Sequence, residues 1–127
     1  MKALLDTHTF LWAISNHPAL SRRAREIFTG PNDLWLSVAS VWEILIKNKT
    51  GKLPLPKPSG PYLIKKLSEN RIEILPIRLD HVLRIENLAV HHRDPFDHLL
   101  IAQSIEEKLP LISADPVFGS YPVDLIW

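Results

Sequence analysis

Short apolar runs alternate with amphipathic segments along the chain, and each kind of segment predicts one kind of secondary structure. The apolar runs are of strand length and carry few polar residues, as expected of strands that are buried on both faces. They lie at residues 3–5, 34–36, 72–75 and 111–112, with a last short one within 123–127. In the amphipathic segments apolar residues recur every three or four positions, which predicts helices. These helices are expected from Thr7 or Thr9 to Ile14, from Ser21 to Gly30, from Ser37 or Ser40 to Ile46, from Tyr62 to Glu69, from Asp80 to Leu88 and from Asp94 to Ile105.

Strands that alternate with helices predict a mainly parallel sheet with helices on both faces. Residues 48–61 are basic and rich in proline, but strong periodic segments continue on both sides of them. We therefore interpret this stretch as a loop and expect a single α/β domain over residues 1–127. In an open parallel sheet ligands bind beyond the carboxyl ends of the strands, so a site is expected at that edge.

The segment Arg93–Ala102 contains the start of the most apolar helix. Asp94 followed by Pro95 is typical of a helix start, since the aspartate accepts a hydrogen bond from a free N–H and proline fits the first helical position. Asp97 falls in the first turn, where the helix dipole favours a carboxylate. Apolar residues surround Asp97 at helical spacing, which predicts a buried helix. Asp97 is then a carboxylate at the edge of the core, and it requires hydrogen bonds or a positive charge there.

Three further acids are predicted to reach the same edge of the sheet. Asp6 and Asp115 each follow an apolar strand, and Glu43 lies in a helix that starts from a strand end. Because the carboxyl ends of parallel strands share one edge, we expect Asp6, Glu43, Asp97 and Asp115 to converge. Each acid also has an ordinary structural explanation, which the sequence leaves open. These explanations are a helix cap for Asp6, Asp94 and Asp97, an ion pair with Lys47 for Glu43, and a turn before Pro116 for Asp115.

Four carboxylates in one place repel one another unless a cation or raised pKa values compensate. The sequence contains no cysteine, so the predicted site has only oxygen ligands and suits a hard cation, Mg²⁺ or alternatively Mn²⁺. Such an ion polarises a phosphodiester, activates water and stabilises the leaving oxygen. Metal-dependent hydrolysis of a phosphodiester is therefore the chemistry that the acids indicate.

Composition and charge limit how a nucleic acid is bound. The net charge is only +1, so binding must use local patches or a bound cation. The best candidate patch is the lysine run Lys47, Lys49, Lys52 and Lys57, for which a solvated loop is the alternative. No apolar run approaches the roughly 20 residues of a membrane span, and Asp6 interrupts the first apolar run, so neither a span nor a signal peptide is expected. Together with the absence of cysteine, this is the pattern of a cytoplasmic protein.

Other polar and aromatic residues near the predicted site have two possible roles each. Candidates for supporting the acids or contacting RNA are Thr7, Ser37, Lys47, Lys49, Lys52, Arg93, Asp94 and Ser113. Three histidines flank the central helix without the spacing of a zinc motif, and we interpret them as surface or capping groups: His91, His92 and His98. Three tryptophans are interpreted as core residues and not as base-stacking platforms: Trp12, Trp35 and Trp42.

Four short motifs span almost the whole chain. They are Leu4-Leu5-Asp6-Thr7-His8, then Ser37-Val38-Ala39-Ser40-Val41-Trp42-Glu43-Ile44 with Lys47 and Gly51-Lys52-Leu53 downstream, then residues 93–102, and Leu111-Ile112-Ser113-Ala114-Asp115. In their order and content these motifs resemble those of the PIN-domain ribonucleases, and more closely the VapC-type toxins of toxin–antitoxin pairs. The resemblance implies a three-layer α/β/α sandwich and an Mg²⁺-dependent endoribonuclease. It also implies metal-binding catalytic acids at Asp6, Glu43, Asp97 and Asp115, a homodimer, and inhibition by an antitoxin that covers the site.

Two other functions stay open at the level of the sequence. The first is a PIN nuclease that acts in RNA processing or on DNA and has no toxin role. The second is a non-enzymatic regulatory module that accepts a phosphoryl group in an acidic Mg²⁺ pocket. The second function expects a lysine after a late strand, whereas Lys108 precedes the predicted strand at 111–112.

Overall fold

A single parallel sheet forms the centre of the molecule. The computed structural model describes residues 1–91 and 93–127, so the predicted role of His92 lies outside the described residues. In the described residues the strands are β1 (Lys2–Leu5), β2 (Asp33–Ser37), β3 (Glu73–Leu75), β4 (Leu111–Ile112) and β5 (Leu125–Ile126). All four pairings are parallel and the spatial order is β3-β2-β1-β4-β5. The predicted parallel sheet is therefore confirmed.

Helices follow the strands in the predicted alternation. They are α1 (Thr7–Ile14), α2 (Arg22–Thr29), α3 (Val38–Lys49), α4 (Ser59–Glu69), α5 (Leu79–Arg84) and α6 (Pro95–Glu107), with 3₁₀ turns at Ile85–Asn87 and Pro116–Ser120. No helix among the described residues combines the length and apolar character needed to cross a membrane.

Both faces of the sheet are buried. In β1 the side chains of Ala3 and Leu5 join one apolar cluster and that of Leu4 joins another, because successive strand residues point to opposite faces. The first cluster contains residues of α1, α2 and α4, including Phe10, and the second contains Leu100 and its neighbours on α6. The expected three-layer α/β/α sandwich is thus confirmed, with roughly 1.5–3 kcal/mol from each fully buried leucine.

Three predicted helix starts are wrong. The helix expected from Tyr62 begins at Ser59, inside the predicted loop, because proline is tolerated in the first turn of a helix. Asp6, and neither Thr7 nor Thr9, caps α1, because Asp6 ends β1 in an extended conformation that aims its carboxylate at the first turn. The helix expected from Asp80 begins at Leu79 and is α-helical only to Arg84. The caps predicted at Ser21 and Asp94 are confirmed, and Ser37 caps α3.

The prediction that Trp42 is a core residue is also wrong. Helix α3 buries Ala39, Ser40, Glu43 and Ile44, and Trp42 lies on its other face with 55% of its surface exposed. Trp12 and Trp35 are half-buried against the two apolar clusters, as expected.

Candidate active site

The four predicted acids line one cavity at the carboxyl ends of the strands. The cavity has a volume of about 210 Å³. Asp94, a lysine and a histidine also line it, so five carboxylates face one lysine and one histidine among the described lining residues. The lining residues are Asp6, Thr7, His8, Glu43, Lys47, Asp94, Asp97, Asp115 and Phe118.

The cavity lies where the strand order reverses. From β1 the chain builds β2 and β3 on one side and then returns to build β4 and β5 on the other. Strands β1 and β4 are neighbours, with Leu5 beside Ile112, and the backbone N–H of Asp6 donates to the carbonyl of Ile112 at 3.1 Å. This reversal leaves a crevice in which open parallel sheets bind ligands.

Asp6 is both the cap of α1 and a wall of the cavity. One carboxylate oxygen accepts from the backbone N–H of Thr9 at 2.6 Å, and the other accepts from the hydroxyl of Ser113. Only 6% of Asp6 is exposed. Burial raises the pKa of the Asp6 carboxyl above its usual value, and the hydrogen bonds from Ser113 and Thr9 oppose that rise. Asp6 can therefore be both a helix cap and a site acid, the two roles that the sequence left open, because its two oxygens have different partners.

Glu43 is held by residues from two helices. Its Oε1 accepts from the hydroxyl of Thr7 at 2.7 Å, and its Oε2 lies 2.8 Å from Nζ of Lys47. The Thr7 hydroxyl oxygen is also 3.0 Å from that of Ser40. Glu43 is 4% exposed, so the ion pair expected with Lys47 exists inside the acidic cavity and not on an open surface.

The remaining acids belong to α6 and to the turn after β4. Asp94 caps α6, since its Oδ1 accepts from the backbone N–H groups of Phe96 at 2.8 Å and Asp97 at 3.3 Å. The cap fixes the first turn of the helix, from which Asp97 lines the cavity. Asp115 is exposed, and its backbone N–H donates to the Ser113 hydroxyl at 3.0 Å. Ser113 therefore connects Asp115 to Asp6.

The other candidates from the sequence lie outside this cavity. Ser37 is fully buried and caps α3. Lys49 and Arg93 are exposed, and Lys52 lines a neighbouring cavity. Lys108 ends α6 in a left-handed conformation before β4 begins, so it is not the lysine that a phosphoryl-accepting module would place after a late strand.

Sequence reasoning missed three residues at the site, of which Phe118 lines the cavity from the turn after Asp115. His8 lines the cavity, and only its position three residues after the end of β1 could have indicated this. Thr9 orients Asp6 through its backbone, for which no side-chain pattern gives a signal.

The donor set fits a hard divalent cation, although the side chains do not stand ready to ligate one. Among residues 1–91 and 93–127 no three histidine or acidic side chains are arranged to hold a metal ion directly. Both oxygens of Asp6 and both of Glu43 already have partners. Mg²⁺ commonly keeps several waters and binds through one or two carboxylates, and a cavity of about 210 Å³ has room for several waters of ~30 Å³ each.

Known proteins resemble this chain in sequence and in fold. Ribonuclease VapC16 of Mycobacterium tuberculosis (strain ATCC 25618 / H37Rv) is 42% identical over 50 residues, which are 39% of this chain and only 34% of that protein. The structure of VapBC2 from Rickettsia felis, bound to a DNA fragment from its promoter, matches with a TM-score of 0.75 at 20% identity, over 99% of this chain and 98% of that one. VapBC-5 from Mycobacterium tuberculosis, a member of the VapBC family of toxin–antitoxin systems, matches with a TM-score of 0.62 at 18% identity, over 98% and 95%.

The likeness to the solved structures establishes the fold alone, because their sequence identity to this chain is low. A family model extends the likeness to the sequence: the model of the PIN domain matches residues 3–123. The resemblance expected from the four motifs is thereby confirmed, and the chain belongs to the PIN-domain family.

Proposed function

We propose that this protein is a metal-dependent endoribonuclease that hydrolyses RNA phosphodiester bonds, and that it is the toxin of a toxin–antitoxin pair. The observation that carries the proposal is the charge of the cavity. Five carboxylates line it, two of them almost fully buried, and one lysine faces them. Like charges at close range are costly in a low dielectric unless a cation compensates. The cavity therefore calls for a positive charge beyond that of Lys47 and His8, the basic residues among its described lining.

The cation that we propose is Mg²⁺, with Mn²⁺ as a substitute, because both prefer oxygen ligands. Asp6, Glu43, Asp97 and Asp115 would hold it. When bound, such an ion supplies an activated water and stabilises the charge on the phosphate. The residues of the chain do the positioning. Their hydrogen bonds are made before any substrate arrives, and such preorganisation costs no rearrangement during the reaction.

Hydrogen-bond donors aim the two buried acids at the cavity. Ser113 and the backbone of Thr9 fix Asp6, and Thr7 fixes Glu43. Lys47 neutralises Glu43 in the metal-free protein. With a cation held at Glu43, the Lys47 ammonium would be available to a phosphate of the RNA.

Exposed cations that are close in sequence to the cavity residues would bind the RNA backbone. Lys49 and Lys52 follow Lys47 along the chain, and Arg93 precedes Asp94. A chain with a net charge of +1 has to concentrate its phosphate contacts in such a patch.

The toxin role and the partners are supported by the relatives. The curated relative bears the name of a ribonuclease, and the neighbours in fold come from VapBC assemblies, one of them described as a toxin–antitoxin system. By this analogy we propose an antitoxin partner that covers the site.

A homodimer is supported by an exposed apolar face of α3. Val38, Trp42, Leu45 and Ile46 recur at helical spacing and are 39–55% exposed. Phe96 extends the face, since its ring meets that of Trp42 edge-on with 5.0 Å between centroids. Apolar faces of this kind are typical of protein interfaces.

The test of the proposed function is removal of one acid. Asp97→Asn should lower RNA cleavage in Mg²⁺ by orders of magnitude and leave the circular dichroism spectrum unchanged, because it removes a charge with little change of volume. Asp33→Asn is the matched control, since Asp33 is an exposed acid at the opposite edge of the sheet, at the start of β2. Cleavage by Asp97→Asn at close to the wild-type rate, or wild-type cleavage that persists in excess chelator, would contradict the proposal.

A further inference from the structure

Lys47 brings an ammonium group into the acidic cavity, as no other residue does among those described in its lining. Its Nζ lies 2.8 Å from Oε2 of Glu43, which is one helical turn earlier on α3. The side chain of Lys47 is 38% exposed and that of Glu43 only 6%. The ion pair therefore joins a buried carboxylate to a cation that can leave towards solvent.

The two oxygens of Glu43 have partners of different kinds. Oε1 accepts from the hydroxyl of Thr7 at 2.7 Å, and the Thr7 oxygen lies 3.0 Å from that of Ser40. Thr7 and Ser40 are almost fully buried, so this donor has no water to turn to and stays in place. Oε2 is bound by Lys47, whose ammonium sits on a flexible four-carbon stem. We therefore expect a cation that reaches Glu43 to replace Lys47 and to leave Thr7 bound.

A divalent ion and the Lys47 ammonium compete because both meet the same requirement. A buried carboxylate is stable only with a compensating charge or hydrogen bonds. Two cations on one carboxylate repel each other, and the repulsion is strong where water is scarce. A lysine can keep its stem on the protein and move its charged end into water. The ammonium is thus the partner of Glu43 that gives way when a divalent ion binds.

The displaced ammonium stays beside the cavity. Lys47 lines the acidic cavity and also the neighbouring one, where Lys52 is a second lining lysine. An ammonium that turns away from Glu43 therefore remains at the border of the acidic cavity, close to any phosphate that a metal holds there. Lysine binds phosphate as a point charge, so the freed ammonium has a new partner as soon as RNA is present.

We propose that Lys47 is an internal counter-ion that competes with the divalent metal for Glu43 and, once displaced, binds a phosphate of the RNA. This inference rests on the proposed nuclease function and adds a coupling between its two ligands. The metal frees the lysine for RNA, and RNA withdraws the lysine from Glu43. Each ligand therefore strengthens the binding of the other by the same factor.

Metal affinity without RNA is the first test. Lys47→Met removes the ammonium and keeps the length of the side chain. Lys49→Met is the matched control, because Lys49 lies in the same last turn of α3, is exposed and is not among the described lining residues. The dissociation constant of Mn²⁺ is measured for each protein from the electron paramagnetic resonance signal of the free ion.

We expect Lys47→Met to bind Mn²⁺ about fivefold more tightly than the wild type, the equivalent of ~1 kcal/mol for an ion pair that the metal no longer has to break. Lys49→Met should stay within about twofold of the wild type, because the charge of an exposed lysine is screened by salt. If Lys47→Met binds Mn²⁺ no more tightly than Lys49→Met does, the competition does not exist and the inference is overturned.

Cleavage kinetics test the second half of the inference. The kcat/KM for single-stranded RNA is measured over a range of Mg²⁺ concentrations. Lys47→Met should need less Mg²⁺ for half of its maximal kcat/KM, yet that maximum should be lower than in the wild type because one phosphate contact is missing. A lysine that only stabilised the fold would not make metal binding tighter and cleavage weaker at once. An undiminished maximum would overturn the contact with RNA and the coupling with it.

Nuclear magnetic resonance of the wild type provides a test that does not depend on the folding of Lys47→Met. The protein carries ¹³C-labelled lysine and is titrated with Mg²⁺, and the Cε signal of Lys47 is assigned by its absence from Lys47→Arg. We expect this signal to move towards that of a free lysine, while the signal of Lys49 stays in place. A Lys47 signal that is the same without Mg²⁺ and at saturation would overturn the inference.

The outcomes for the inference and for the proposed function are distinct. A wild-type protein that cuts RNA, together with a Lys47→Met protein that binds Mn²⁺ no more tightly, overturns the inference and leaves the nuclease function standing. A wild-type protein that binds Mn²⁺ but cuts no RNA overturns the nuclease function, and the coupling to RNA with it.

Discussion

The hydrogen bond from Thr7 to Glu43 should contribute more to stability than any ordinary hydroxyl in the same helix. Thr7→Val keeps the shape of the side chain and removes its only donor. A hydrogen bond to a charged group contributes about 1.5–3 kcal/mol, and a neutral one about 0.5–1.5 kcal/mol. The added methyl group returns roughly 0.8 kcal/mol through burial. We therefore expect the free energy of unfolding of Thr7→Val to fall by about 1–2 kcal/mol.

This loss corresponds to a measurable change in melting temperature. With 127 residues and about 2.1 cal/mol/K of unfolding entropy per residue, the entropy is about 270 cal/mol/K, so the expected decrease in Tm is about 4–7 °C. The matched control is Thr9→Val, since Thr9 is equally buried, lies on the same turn of α1 and donates to the neutral carbonyl of Ile112 at 2.9 Å. The control should lose less than about 1 kcal/mol.

A double-mutant cycle isolates the pair. In Glu43→Gln the acceptor is a neutral amide, so Thr7→Val should cost about 1 kcal/mol less in that background than in the wild type. The assay is thermal and urea unfolding of the four proteins in excess chelator. If Thr7→Val is no more destabilising than Thr9→Val, or costs the same in both backgrounds, Thr7 does not hold the Glu43 carboxylate and Glu43 is not preorganised.

Three further predictions concern the other acids and the lysines that we propose to bind RNA. Burial raises the pKa of Asp6 above its unfolded value of 3.8, so the stability that Asp6 provides is full below pH 3.8 and is lost as the pH rises through the native pKa. In urea unfolding without metal, the stability of Asp6→Asn relative to the wild type should therefore increase from acidic to neutral pH. A difference in stability that does not change with pH would contradict this. Replacing Lys49 and Lys52 with alanine should weaken RNA binding and flatten the plot of log K against log salt by roughly one to two units; the same slope would put the RNA elsewhere. Asp94→Ala should lose about 0.5–2 kcal/mol of stability and Asp94→Asn much less, since asparagine also caps helices; equal losses in a thermal melt would exclude the cap.

Much of the fold follows from local patterns. The strands at residues 34–36 and 111–112 were predictable because short apolar runs between helical segments have few other structures available. The start of α6 at Pro95 was predictable because the Asp94 cap acts within its own turn. Helix α5 was the weakest prediction, since its apolar residues Leu79, Val82 and Leu83 are exposed and give no core-facing pattern.

The site could be predicted only in outline. That Asp6 and Asp115 lie at one edge follows from parallel strands alone, and this sufficed to bring four acids into one hypothesis. Whether Asp6 was a cap or a site residue could not be decided, because a carboxylate has two oxygens and the partner of the second, Ser113, is 107 residues away in the sequence. Trp42 was misplaced for the same reason, since the face of α3 that is buried depends on which other elements cover it.

The sequence by itself therefore determined the order of strands and helices, the parallel sheet and the edge at which the acids meet, because these depend on periodicity and on caps within a few residues. Only the tertiary structure decided that Thr7 and Lys47 hold Glu43, that Ser113 connects Asp6 to Asp115, and that Trp12 and Tyr62 form a pocket beside them. The contacts of Thr7 with Glu43, of Ser113 with Asp6 and of Trp12 with the pocket shared with Tyr62 join residues from separate elements, whereas those of Lys47 with Glu43 and of Ser113 with Asp115 are local. The distances of the contacts between separate elements depend on the register of β1 against β4 and on the packing of helices, which no local pattern encodes.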